Sequence, residues 1–480
     1  MYCCCAWFIV NEPENPDLFR VDKNMDLIKQ FLQKNNANKT TINIIGDSMF
    51  DMYYDVSVNR ISPEFPIPVY KSQSEMPDSG VIPGGAANVA MQFKHFNFDI
   101  NYISLISSYA KIIFESNGIN TNYCKIVDGM LIPSKKRIFA ENIPLVRWDI
   151  EKENFGLDDI KKHLMDLTIP NSDLNIFSDY NKGVFATPWF RKFFKNTKSI
   201  VDPKNANIDL WEDCDVFKPN SIEAKLLSNK KNWQDQIEFF TNSIRCKSVV
   251  ITQGGSGVVG KDTDFFEYKP QDKGVAVESV IGAGDCFITF LSMSIAHGFS
   301  LADSCEIAYK AGSLYVQRKL NKPISPAELF TLSSDKFVED PEILAQRNFD
   351  LAFTNGCFDF GLTAAHADLL RFAKKQKSKL VIALNSDASV ARLKGSDRPI
   401  LPLEERIKIV SAFDCVDYVV AFDEDTPAEL LQKIRPDCIV KGGDYKKENV
   451  VGSHLADVIL FDYMRVSSTT DKINKLNRIV

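Results

Sequence analysis

The sequence predicts an α/β protein with largely parallel sheets, arranged as two domains. Short β-branched strands alternate with helical patterns, and the alternation starts afresh near residue 349. The chain's 480 residues also exceed one ordinary core, at about 100 to 200 residues per domain. With 63 acidic and 57 basic side chains, the net charge of −6 argues against a nucleic-acid coat or a polybasic membrane anchor. Hydrophobic residues at 45% and charged residues at 25% are the proportions of a globular protein with a substantial core.

Residues 1–40 read as an N-terminal extension. Its opening, MYCCCAWFIV, lacks a basic n-region and runs into NEPENPD, which makes a poor signal peptide. The cluster Cys3, Cys4 and Cys5 leaves lipidation open. The other eight cysteines lie singly between Cys124 and Cys438, so a reducing, cytoplasmic compartment is expected. A helical stretch, MDLIKQFLQK, closes the extension.

Residues 41–330 form the first domain, with strands at TINIIGD, LNIFSDY, SIVDP, DVFKPN and SVVITQGG and helical patterns between several of them. Functional loops are expected at the carboxyl ends of these strands. Residues 331–348, polar and proline-containing, read as a linker. Residues 349–480 form the second domain: strand DLAFTNG, a helix through AHADLLRFAKKQ, strand KLVIALNSD, a helix through PLEERIKIVSAF, strand DYVVAF, a helix through PAELLQKI and strand DCIVKGG. No apolar run reaches the 18 or so residues of a membrane span. No two of the five histidines have the spacing of a structural zinc site.

Among the glycine patterns, Gly255 to Gly260 fits GxGxxG and Gly255 to Lys261 almost fits a phosphate loop. Both motifs need a helix after the last glycine, whereas KDTDFFEYK reads as a strand, and Asp262 stands where the phosphate loop needs a hydroxyl. A hairpin turn is the reading this supports. Gly282-Ala283-Gly284-Asp285 is different, because it precedes the long apolar helical run CFITFLSMSIAHGF. Freed backbone N–H groups there make an anion hole for a transferred phosphoryl group, and Asp285 is placed to take a hydroxyl proton. Taken alone, the motif is equally a helix cap.

Two further elements favour the anion hole: Pro83-Gly84-Gly85-Ala86-Ala87-Asn88, and Asn220-Ser221-Ile222-Glu223 after a strand. In this order and spacing the first domain resembles the ribokinase-like sugar kinases. GDSMFD from Gly46, RISPEFPIPV, PGGAANVA, SDYNKGV and VDPK narrow the resemblance to bifunctional heptose 7-phosphate kinase/heptose 1-phosphate adenylyltransferases. FTNGCFD, LNSDASVARLKG, RPILPLEERIKIV, EDTPAELL, IVKGGDY and SSTT extend it through the second domain. The resemblance covers roughly Ile42 to Leu476. It implies a ribokinase-like parallel-sheet kinase domain followed by a smaller Rossmann-like nucleotidyltransferase domain.

The resemblance implies that Asp285 is the base that activates the anomeric hydroxyl, while Gly282 and Gly284 frame the anion hole. Asp51, Gly84, Gly85 and Asn88 match sugar-contacting positions. Arg60, Lys135, Arg137 and Arg147 are candidates for the 7-phosphate, with solvated surface charge the alternative for each. Asn220 and Glu223 match the Mg-ATP element, with Mg2+ held by Glu223 through water. Thr252 and Gly254 match the nucleotide side. In the second domain, Thr363-Ala364-Ala365-His366 is the counterpart of the T/HxGH motif, whose imidazole and helix start stabilise a pentacovalent phosphate. Asn355, Gly356 and Asp359 precede it, and Lys394, Lys441, Ser468 and Thr469 match phosphate and nucleotide positions. The implied ligands are sugar phosphates and ATP, with no nucleic acid or membrane partner, and a homodimer is expected.

The pattern also departs from that family. ISLISSYAKIIFESNGIN has no VGxDxxG segment and implies a shortened loop. Ser279, Ile281 and Cys286 replace an aspartate and two threonines around the GAGD motif. Ala365 replaces a glycine, and FGLTAA carries one extra residue. Two alternatives to the bifunctional reading are a transferase whose kinase half is only a sugar-phosphate scaffold, and a nucleotide sensor without catalysis.

Overall fold

The computed structural model describes residues 26–462 apart from 38, 73–76, 78–79, 142, 152–156, 195–196, 205–206, 271–275, 319–320, 360–361 and 444–445. Cys3 to Cys5, Ser468 and Thr469 lie outside the described residues. No helix among the described residues is long and apolar enough to cross a membrane.

The first domain is built on an eight-stranded sheet in the order Phe265–Tyr268, Val258–Lys261, Ser248–Thr252, Val216–Phe217, Lys198–Asp202, Leu174–Ser178, Thr40–Gly46, Phe98–Ile103. Every neighbouring pair from Ser248–Thr252 onward is parallel. The two strands at the opposite edge are antiparallel. The glycine run after Thr252 is therefore a 3-10 turn leading into a hairpin strand, as the aromatic segment behind it predicts. Gly46 pairs in register with Ser178, and Ser178 with Asp202. Asp47, Asp179 and Asp202 consequently emerge together at the carboxyl edge, where α/β sheets bind ligands.

A second, four-stranded sheet, Ile143–Ile150, Ser134–Ala140, Ser48–Asp55 and Val81–Gly85, joins the first at that edge. Only Asp47 separates Thr40–Gly46 from Ser48–Asp55, and Gly85 leads straight into the helix Ala86–Gln92. The helix Ala283–Ala296 is apolar almost all round and buries every residue from Asp285 to Ile295, as such a helix must. ISLISSYAKIIFESNGIN becomes a two-residue strand, Leu105–Ile106, and a helix, Ser108–Ser116, capped by the Ser107 side chain.

The second domain is a five-stranded, all-parallel sheet in the order Tyr418–Phe422, Lys379–Asn385, Leu351–Gly356, Cys438–Gly442, Asp457–Phe461. It contains one helix that the strand-and-helix reading passes over, Asp387–Lys394. Ser386 caps it by accepting from the Ser389 N–H at 3.0 Å.

The helix closing residues 1–40 is Leu27–Ala37. Ile28 and Phe31 are fully buried, Phe31 against Phe96, Phe290 and Phe299. Lys29 meets Asp335 at 2.9 Å and Glu339 at 3.0 Å. Within residues 331–348 an apolar minority packs: Val338 and Leu344 are buried. Val338 N donates to Val419 O at 2.8 Å, and Val419 N to Lys336 O at 2.8 Å, so this stretch extends the second sheet along its Tyr418–Phe422 edge.

Candidate active sites

In the first domain Asp285, at the opening of helix Ala283–Ala296, is almost fully buried. One carboxylate oxygen accepts from Asn88 Nδ2 at 2.6 Å, and the other accepts from the Tyr180 hydroxyl. Burial first, then the nearby Asp202 and Asp51 carboxylates, push its carboxyl up to about 6 against the two hydrogen bonds. Asn88 is held in turn by Gln92, which donates to its Oδ1 at 3.1 Å. Gly282 has φ +75°, and a Cβ there would fall 2.7 Å from Tyr315 Oη and 2.9 Å from Asn88 Nδ2. Only glycine admits this approach. A Cβ on Gly284 would meet open space, leaving room over the helix start.

Asp51 forms a second buried node. Arg137 donates to its Oδ1 at 2.6 Å and Asn321 to its Oδ2 at 3.0 Å. A Cβ on Gly84 would fall 2.8 Å from Asp51 Oδ2, and Gly85, at φ +61°, lies against the Asp47 carbonyl. Asp51 pairs across the sheet with Lys135, whose amine is lowered by burial, against the pull of Asp51. Of the other basic candidates, Arg137 is committed to Asp51 and Arg147 forks onto Asp149 at 2.8 and 2.6 Å. Arg60 stands on the exposed strand Ser57–Ile61, outside these contacts.

On the neighbouring strand ends, Asn220 caps helix Ser221–Ser228 and forms a reciprocal box with Glu223: Asn220 Oδ1 accepts the Glu223 N–H at 2.9 Å and Glu223 accepts the Asn220 N–H at 2.9 Å. Asn220 bridges to Thr252, and Gly254 follows at φ +57°. Glu223 also meets Lys204 at 3.4 Å, and Asp202 meets the buried Lys218 at 3.0 Å. Burial pushes Asp202 up to about 6, with the Glu223 charge adding to it and Lys218 opposing. Among the described residues no three His, Cys, Asp or Glu side chains form a metal cluster. One or two carboxylates without such a cluster suit Mg2+, which keeps several waters and shares phosphate oxygens.

In the second domain Thr363 caps helix Ala364–Gln376, accepting from His366 N at 3.3 Å, while His366 Nδ1 accepts from Thr363 N at 3.2 Å. That bond assigns Nδ1 as the acceptor nitrogen and the other as N–H. The Phe358 ring meets the imidazole edge-on at 5.0 Å. Asp359, buried, holds Arg398 and, at 3.4 Å, Lys394. Lys441 donates to Asn355 Oδ1 at 2.5 Å, and burial lowers its amine to about 8. A Cβ on Gly356 would fall 2.9 Å from the Phe358 ring. Ala365 lies in the first turn of the helix.

Asp47, Tyr180, Asp202, Asn321, Arg398 and Arg406 are among the residues of these sites that carry no role in the sequence reading. Arg406 is 1% exposed and donates to the carbonyls of Cys357 at 2.8 Å, Asn385 at 2.7 Å and Leu401 at 3.0 Å. It ties together the loops that carry Asp359 and the Asp387–Lys394 helix. A charged residue on the inward face of a predicted amphipathic helix is the signal that marks it.

Residues 39–327 match the pfkB family of carbohydrate kinases, and residues 353–469 match the cytidylyltransferase-like family. The bifunctional protein HldE of Hydrogenovibrio crunogenus is 30% identical over 480 residues, covering 93% of this chain and 98% of that protein. HldE of Haemophilus influenzae (strain PittEE) is 32% identical over 466 residues, covering 90% of this chain and 96% of that protein. HldE of Nitratiruptor sp. is 32% identical over 470 residues, covering 91% and 99%.

Proposed function

This chain belongs to the pfkB carbohydrate kinases and, over its whole two-domain length, to the bifunctional HldE proteins, and from that premise we propose that it makes ADP-heptose in two steps. The first domain phosphorylates heptose 7-phosphate at the anomeric hydroxyl with ATP. The second transfers the adenylyl group of ATP to heptose 1-phosphate and releases pyrophosphate. The observation that carries the reading is the buried Asp285 carboxylate, held between Asn88 and Tyr180 at the opening of an apolar helix.

In the first reaction Asp285 takes the proton of the anomeric hydroxyl as its oxygen attacks the γ-phosphorus, and ADP leaves. The amides around Gly282 and Gly284, freed at the helix start, stabilise the charge spreading over the phosphoryl oxygens. Asp51, braced by Arg137 and Asn321, orients the sugar with Asn88, and the half-buried Lys135 is the best supported 7-phosphate ligand among the basic candidates. Asn220, Thr252 and Gly254 line the nucleotide side. Glu223 would hold Mg2+ through water, and the ion would supply charge neutralisation to the ATP phosphates.

In the second reaction a sugar 1-phosphate oxygen attacks the α-phosphorus, so no hydroxyl proton has to be removed. His366 and the start of helix Ala364–Gln376 stabilise the pentacovalent phosphate, and Lys441 and Lys394 supply positive charge beside Asn355 and Asp359. Arg398, bound to Asp359, holds that carboxylate in place. Ser468 and Thr469 complete the nucleotide site in this reading. The intact cradle of Asp285 favours an active kinase over a silent scaffold, because the replaced residues, Ser279, Ile281 and Cys286, leave both of its hydrogen bonds in place.

A homodimer belongs to the same reading. Exposed apolar residues stand on the two-stranded hairpin of Ser57–Ile61 and Pro68–Lys71 and its turn (Ile61, Phe65, Ile67) and on the edge strand Ile143–Ile150 of the sugar-side sheet (Ile143, Trp148), and they suit a second copy. Sedimentation of a monomer at micromolar protein would oppose it. The test of the main reading is phosphorus NMR of the protein with heptose 7-phosphate and Mg-ATP, followed by heptose 1-phosphate. An anomeric phosphate and then a sugar-linked diphosphate are expected; the absence of both signals would refute the proposal.

A further inference from the structure

Tyr180 touches the kinase base and has no assigned role. Its hydroxyl donates to Asp285 Oδ1, and its backbone is fixed from beneath. The buried Asp47 carboxylate accepts three N–H groups of the same turn, from Tyr180 at 2.9 Å, Lys182 at 3.0 Å and Val184 at 2.9 Å. Asp179 binds the turn to the next strand end, accepting from Asn181 N at 2.7 Å and Lys204 N at 3.1 Å. The ring is flanked by two ammonium groups, Lys135 at 5.5 Å and Lys204 at 5.6 Å from its centroid. A residue whose backbone turn is held by two carboxylates and whose ring lies between two cations, with its O–H ending on a third carboxylate, is specified for more than packing.

We propose that Tyr180 is a positioning residue for the kinase base, its hydroxyl fixing the Asp285 carboxylate and holding it ionised at neutral pH despite its burial. The inference rests on the reading of Asp285 as that base. An O–H donor favours the charged form of the carboxylate that accepts it. Asp285 needs that help, because burial and the Asp202 and Asp51 charges all favour its proton. The other groups facing it are Lys135, of opposite charge, and the Tyr315 hydroxyl and Cys286 thiol, both pushed up by burial. The Tyr180 hydroxyl itself is pushed well above its ordinary range by burial and by Asp285. It therefore stays protonated and acts as the donor, not as a competing base.

Tyr180→Phe in the full chain is the test, since it keeps the ring, its packing and both cation contacts while removing only the O–H. The first readout needs no substrate: the carbon-13 carboxyl titration of Asp285, assigned by its loss in Asp285→Asn. Removing a hydrogen bond to a charged group is expected to raise the midpoint by about one to two pH units. The acid limb of kcat/KM for the sugar phosphate is expected to move up equally. Far-ultraviolet circular dichroism and a urea unfolding midpoint of the variant, both expected to match the wild type, check that the first domain has folded, and unchanged transferase activity checks the second. An unmoved titration, or a kinase rate lowered equally at every pH, would overturn the proposal. If the wild type does not phosphorylate heptose 7-phosphate, the functional reading fails while the carboxyl titration still decides the role of Tyr180.

Discussion

The two sites stand at the carboxyl ends of two largely parallel sheets, yet the acid or amine whose proton affinity burial shifts furthest differs between them in charge. In the first domain the desolvated groups are carboxylates: Asp285 and Asp202 are each pushed up to about 6, and Asp51 is braced by Arg137 and Asn321. In the second it is an amine, Lys441, lowered to about 8 and resting on Asn355, while the buried Asp359 is paired with Arg398. The contrast follows the chemistry of the nucleophiles. A sugar hydroxyl must lose a proton as it attacks, which calls for a base. A sugar phosphate arrives already ionised, and the need is then for positive charge to gather two anions. One strand-end geometry thus serves either purpose, and what separates the two is whether a carboxyl raised by burial or an amine lowered by it faces the site.

Asp285→Asn is the sharpest way to break this comparison. It removes the base while leaving a side chain that fits between Asn88 and Tyr180, and sugar-dependent ADP formation is expected to fall by about 10²- to 10⁴-fold. Adenylyl transfer to heptose 1-phosphate by the same protein should be unchanged. His366→Ala is the mirror experiment: pyrophosphate release is expected to drop by about 10²- to 10³-fold with the kinase intact. A loss of both activities in either variant would mean the sites do not work separately.

The pH profiles sharpen the contrast without any substitution. Because the Asp285 carboxyl is raised to about 6, kinase kcat/KM is expected to fall about tenfold per pH unit as pH drops below that value and the base takes up its proton. Because the Lys441 amine is lowered to about 8, its charge is lost above pH 8, about two units earlier than for an ordinary lysine. The transferase is then expected to lose ATP affinity on the alkaline side, seen as a rising KM. Acid and alkaline limbs in the reverse assignment would contradict the charge contrast.

The smallest expected effect concerns the contact between the halves. The Tyr418 hydroxyl donates to Ala327 O at 3.1 Å, and its ring stacks on Phe349 at 5.8 Å. Tyr418→Phe keeps the stack and removes the bond, at a cost of about 0.5 to 1.5 kcal/mol in urea unfolding, with both activities retained. No change in midpoint would show that the bond contributes nothing to holding the domains together.

What was legible in the sequence was what is encoded locally. The β then α alternation, the hairpin behind Gly255, and the Asp285 and His366 helix starts each depend on residues within one or two turns of each other, so their spacing reveals them. The helix Asp387–Lys394 escaped that reading because its eight residues carry too short an apolar stripe to show a period. The burial of Leu27–Ala37 escaped it because the partners of Phe31 lie up to 268 positions away, at Phe299.

By itself the sequence determined which strands end in carboxylates, which helices open at glycine or threonine, and that two such sets follow one another in a single chain. Only the tertiary structure decided how those groups are charged and held. Asn321 reaches Asp51 across 270 residues, Tyr180 reaches Asp285 across 105, and Arg406 gathers carbonyls from three separate stretches of chain. Hydrogen-bond partnership and desolvation belong to positions in space, and chain neighbours do not specify them. The proton affinity of a buried group is set by that surrounding, which is why the motifs single out Asp285 but only the packing of Asn88, Tyr180 and the neighbouring carboxylates around it determines the pH at which it takes up a proton.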